Sequence, residues 1–147
     1  MGKINWQFFL NRWNRLVQSS SGISQMLPEE VTGTSNLGRP GASEMQISQA
    51  EARLGIRLPP SYRAFLQASD GWFTGTDATS RLFPIQETDW FALRFPDVLR
   101  AWLTGYQMNG EPPLISDSEY LVYGESQDPS LVRTEDLQAS LAIGIGA

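Results

Sequence analysis

Carboxylates are the only side chains this chain holds in quantity that could move protons. It has 16 Asp and Glu and neither histidine nor cysteine. Histidine general bases, Ser–His and Cys–His nucleophiles, and zinc, haem or iron–sulfur centres built on Cys and His are therefore excluded. Asp70, Asp77, Glu87 and Asp89 lie close in sequence. Their spacing matches neither a calcium loop nor a glycosidase pair, so they read as solvated loop acids. Gly71-x-x-x-Gly75 has no following lysine, which rules out a phosphate loop. The expectation is a non-enzymatic protein that needs no metal and no cofactor, with a carboxylate-based hydrolase as the remote alternative.

Charge carries more information than any catalytic motif. Residues 1–63 hold seven basic and four acidic side chains, a net +3, whereas residues 64–147 hold four arginines and twelve carboxylates, a net −8. An acidic half disfavours direct nucleic-acid binding and suits a basic protein partner. Asp70, Asp77, Glu87, Asp89, Asp117 and Glu119 are the expected partner-binding residues, displayed on loops.

Those loops need elements to hold them. With 147 residues and 41% apolar content, one ordinary domain with a genuine core is expected. Residues 4–18 read as an amphipathic helix. Trp6, Phe9, Leu10, Trp13, Leu16 and Val17 share an arc of about 120°, and Phe8 projects from the opposite face. The expectation is that this stripe packs on the domain, with docking on a partner or on a membrane surface as lesser readings. No run of 18 apolar residues occurs, so membrane involvement is set aside and a cytoplasmic protein is expected. Residues 19–42, rich in Ser, Gly, Thr, Asn and Pro apart from Leu27-Pro28-Glu29-Glu30-Val31, read as a flexible, poorly packed linker containing one short turn.

Residues 43–72 are the densest stretch. Ser43 and Gln46 form a capping box. Ile47, Ala50 and Leu54 mark one helical face, and Gly55 ends the helix. Ile56–Leu58 are extended before Pro59–Pro60, which open a second helix carrying Tyr62, Phe65 and Leu66. Asp70-Gly71 closes it with a turn. Glu51 is expected to cap a backbone group or to pair with Arg63. Beyond the turn, Trp72-Phe73, Leu82–Ile85, Tyr120–Tyr123 and Leu141–Ile143 read as strands. Asp97 starts a helix that ends at about Leu103, before Gly105, with Phe95, Leu99 and Trp102 turned inward.

The run Ile47-x-x-Ala50-Glu51-x-x-Leu54-Gly55-Ile56-x-Leu58-Pro59-x-x-Tyr62-x-x-Phe65-Leu66, followed by Asp70-Gly71-Trp72, resembles the signature of the SUKH superfamily. That group comprises Smi/Knr-like regulators and bacterial immunity proteins. Leu82-Phe83-Pro84-Ile85 with Trp90 resembles the next family segment. The resemblance implies an α+β domain over residues 43–147, with helices on one side of an antiparallel sheet and the N-terminal amphipathic helix before it. It also implies that the final sheet strands are missing, since family domains continue past the position of Ile143. Its functional implication is protein recognition: an immunity protein that neutralises a basic, nuclease-like toxin, or alternatively a regulatory scaffold.

Overall fold

The computed structural model describes residues 4–20, 22, 27–73, 80–109, 115–122, 126 and 133–146. The chain divides into two compact units, the first comprising residues 1–88 with 143–147 and the second residues 89–142. Both combine helices with small antiparallel strands, so the expected α+β class holds.

In the first unit, α1 spans Trp6–Ser19 and α2 Glu29–Thr34. They are followed by α3, Glu44–Leu54, and α4, Pro60–Ala68. The Ser43–Gln46 capping box forms as expected and fixes the start of α3. Gly55 ends α3 at φ 72°, a left-handed conformation that costs glycine little. Pro60 opens α4, where its missing N–H costs no helical hydrogen bond. Strand β1, Trp72–Phe73, pairs antiparallel with β2, Arg81–Leu82. The β2 strand also pairs with β5, Gly144–Ile145, giving the order β1-β2-β5. Strand β2 is shorter than the expected 82–85 segment. Phe83 still donates to the Ile143 carbonyl, but Pro84 has no N–H and its carbonyl instead closes a turn onto Glu87.

The core of this unit follows the sequence periodicity. Ile47, Leu54, Leu58, Phe65, Leu66 and Trp72 are buried with Phe83 and Ile85. Tyr62 is half-buried, its hydroxyl 3.3 Å from that of Thr88.

Two expectations are corrected here. The segment before α3 is not poorly packed throughout: Val31, Leu37 and Ala42 are buried, and Leu37 is completely so. Its carbonyl accepts from the Phe73 N–H, and Gly38 bridges to Trp72. Three spaced apolar residues were enough to seat a chain whose composition is otherwise that of a linker. The second correction concerns α1. Only Leu10 and Val17 are buried, while Phe8, Phe9, Trp13 and Leu16 are 62%, 50%, 40% and 56% exposed. Polar anchors set the helix rotation. Asn14 accepts from the Leu37 N–H at 2.9 Å and donates to the Ser35 carbonyl at 3.3 Å, and the Gln18 amide also donates to Ser35. With the Asn14 edge turned inward, the apolar arc meets the domain along one margin only.

In the second unit, β3, Asp89–Trp90, leads directly into α5, Phe91–Arg94. Helix α6 then spans Pro96–Asn109. It runs through Gly105 instead of stopping before it, because a glycine facing open space weakens a helix by only about 1 kcal/mol. Leu99 is buried as expected, whereas Trp102 is 41% exposed. Short helices follow at α7, Asp117–Tyr120, and α8, Thr134–Leu137. Strand β4, Leu141–Ala142, pairs with β3. The strand expected over Tyr120–Tyr123 is corrected, with Tyr123 itself outside the described residues. Ser116 and Glu119 form a capping box that commits Asp117–Tyr120 to a helical turn despite the β-favouring tyrosine.

Truncation should separate packed positions from loose ones. Leu37→Ala is expected to cost about 2–5 kcal/mol and Phe65→Ala about 3–5 kcal/mol, measured by urea unfolding. A Leu37→Ala protein as stable as the parent would show that the segment before α3 is a linker after all.

Candidate functional site

The family-like run between α3 and α4 builds a support. Oε1 of Glu51 accepts the Leu58 N–H at 2.8 Å and lies 2.6 Å from Nη1 of Arg63. Arg63 also pairs with Glu44 and thereby reaches the first turn of α3. These bonds hold the Gly55–Pro59 link, as expected for Glu51. The Arg63 guanidinium beside it, followed by the Leu58 N–H, draws the Glu51 carboxyl below the usual carboxylate range. Its side chain is 11% exposed, which leaves little surface for a ligand.

The six carboxylates expected to bind a partner meet different fates. In the first unit, Asp70 accepts the Ile85 N–H at 2.7 Å, pinning the Asp70-Gly71 turn to the segment after β2. Gly71 permits that turn at φ 95°. Glu87 lies 3.6 Å from Arg81. In the second unit, Asp89 accepts the Trp90 N–H at 2.8 Å. Glu119 accepts the Ser116 hydroxyl at 2.6 Å and its N–H at 3.0 Å, bonds that lower its pKa. Asp117 pairs with Arg133 at 2.7 Å, yet its side chain remains 79% exposed. Asp77 lies outside the described residues. Asp70 and Glu87 thus belong to one unit, and Asp89, Asp117 and Glu119 to the other.

Arg133 organises the second group. Besides Asp117 it lies 3.9 Å from Asp136, donates to the Ile115 carbonyl at 2.6 Å and sits 4.6 Å above the Tyr120 ring. Asp97, absent from the expected set, is 86% exposed in the first turn of α6 and pairs with Arg100. Residues 89–142 carry nine carboxylates against three arginines, a net −6. Among the described residues, no three carboxylates cluster as a metal site would require.

The sequence reading missed a groove in the first unit. It has a volume of about 420 Å³ and is walled by Trp6, Phe9 and Trp13 of α1, Tyr62 and Phe65 of α4, and Trp72 of β1. Trp6 fixes one wall, its indole N–H donating to the Ser61 carbonyl at 3.1 Å and its ring edge-on to Phe65 at 5.4 Å. The signal was present in the aromatic spacing of 4–18, but the helix rotation that opens the groove comes from Asn14 and Gln18.

The family-like run is thus a structural support within an α+β chain, and the described carboxylates do not converge on one site. A family model for SMI1 / KNR4 (SUKH-1) matches residues 41–138, and the chain belongs to that family. Searches among curated proteins and among solved structures find no match.

Glu51 makes a pH test possible. Its folded-state pKa lies below its unfolded value, so its stabilisation is complete above the ordinary carboxylate range, near pH ~4.3, and is lost as pH falls through the folded value. Glu51→Gln should lower stability at neutral pH and flatten the acid limb of a urea-midpoint against pH profile. The remaining acid slope should include Glu119, whose shift has the same sign. An unchanged acid limb would refute the role of Glu51.

Proposed function

We propose that this chain is a non-enzymatic protein-binding domain of the immunity type, which neutralises a basic, nuclease-like toxin in the cytoplasm through the acidic surface of its second unit. SUKH proteins are generally non-catalytic immunity or regulator proteins that act by protein–protein contact, and membership of the family gives the reading its class. The observation that carries it further is the concentration of charge in residues 89–142, at net −6. Among the described residues, Asp117 and Asp97 are the most accessible of the ion-paired carboxylates of this unit and lead the candidate contacts, with Asp89 and Glu119 also in the unit. Most of these acids already serve a helix cap or a neighbouring arginine. Their joint effect is therefore a field that steers a cationic partner, more than a set of individual anchors.

The test uses the product of a neighbouring toxin-like gene as partner. Binding should weaken as salt rises toward about 1 M, where screening shortens to about 3 Å. Replacing Asp89, Asp97 and Asp117 together by Asn should slow association on the order of tenfold at low salt, with a smaller change in dissociation. Salt-independent binding would reject the acidic surface. A stable partner with no toxicity would assign the chain to the regulatory scaffolds instead.

A further inference from the structure

The open face of α1 has a composition unlike the rest of the chain. At about 100° per residue, Arg15, Phe8, Arg12, Leu16, Phe9 and Trp13 fall within one arc of about 160°. The opposite side is held down by Leu10, Val17, Asn14 and the Trp6–Ser61 hydrogen bond. The helix therefore lies along the surface of its unit for about 21 Å with this arc outward. Phe8, Leu16 and the two arginines face out, with the exposed edges of the groove-lining Phe9 and Trp13 beside them. The sequence contains no carboxylate before Glu29, and among the described residues neither arginine has an acidic partner. Ile4, 57% exposed, extends the apolar line beyond the start of the helix.

We infer that this face of α1 docks on an anionic lipid surface. Three physical points favour lipid over a folded partner. Arginines interleaved with aromatics suit an interface where guanidinium groups reach the headgroups while their stems and the rings enter the acyl boundary. The apolar residues form a long line, which a deformable surface accepts more easily than a single rigid hot spot would. Charge also selects this face: the first unit has eight basic and seven acidic side chains, a net +1, whereas residues 89–142 would be repelled. The sequence favours packing of this stripe on the domain over membrane-surface docking, and the structure packs only its edge. Among the described residues no helix is long and apolar enough to cross a membrane, so the contact is that of a helix lying on one.

This inference does not depend on toxin binding, and its assay contains no protein partner. The full chain is mixed with vesicles of phosphatidylcholine containing roughly one-third phosphatidylglycerol, and with pure phosphatidylcholine vesicles, at low salt. Co-sedimentation with the anionic vesicles alone is expected, with a blue shift of tryptophan emission and quenching by brominated lipid. Arg12→Glu with Arg15→Glu should weaken partitioning at least about 30-fold, since each lost basic residue is worth about one factor of five to six. Phe8→Asp with Leu16→Asp should abolish it; neither residue lines the groove, so near-ultraviolet circular dichroism should be unchanged. If that variant does not fold, the arginine variant and the quenching decide. Failure to bind anionic vesicles, or binding that survives both double variants, overturns the proposal. So does a result in which these variants break a dimer or a protein complex while the parent ignores vesicles.

Discussion

The Glu51 carboxylate ties together α3, the link that follows it and α4. The link Gly55–Pro59 contains a left-handed glycine and two prolines nearby, and it supplies few backbone hydrogen bonds of its own. Glu51 accepts the Leu58 N–H there and faces Arg63 one turn into α4. One nearly buried charge thus satisfies a backbone donor, compensates a guanidinium and sets the spacing at which Ile47, Leu54, Leu58 and Phe65 can meet. Asp70 repeats the device on the far side of α4, where it accepts the Ile85 N–H and so docks β2 and the following turn onto the helix end. These bonds give the Glu51 and Asp70 positions of the motif a structural role.

Those surfaces differ in electrostatic character. In residues 89–142 the carboxylates outnumber arginines three to one, and Arg133 ties several elements of that unit to Asp117, Asp136 and the Tyr120 ring. Local pairing of this kind weakens the claim of any single acid to be an anchor but leaves the net field intact, because three arginines cannot neutralise nine acids. In the first unit, α1 has the reverse character: arginine and aromatic, with no acid on it. The two units therefore differ in charge and in apolar exposure.

Much was legible in the residues. The capping box at Ser43, the glycine stop at Gly55, the proline start at Pro60 and the apolar face of both helices depend on interactions within a few positions. Short-range chemistry of that kind is written in spacing. The role of Glu51 was legible for the same reason, as its partners lie within twelve residues. The reading failed where a local preference was weak: β-favouring Tyr120 yielded to the Ser116–Glu119 box, and Gly105 did not stop a helix that a lone glycine weakens by only about 1 kcal/mol.

The sequence by itself determined the α+β class, the family motif, the absence of histidine and cysteine chemistry and the uneven distribution of charge, all of which follow from residue type and order. Tertiary structure alone decided which part of each amphipathic surface is hidden. Leu37 is buried although its neighbours are those of a linker, because Asn14 and Phe73, distant in sequence, take its N–H and offer their own to its carbonyl. Phe9, Trp13 and Leu16 are open although their periodicity is that of a core stripe, because the same Asn14 bond, with Gln18, sets the rotation of α1. A periodic pattern specifies that a face exists; which edge of it is covered depends on long-range polar partners that no local window contains.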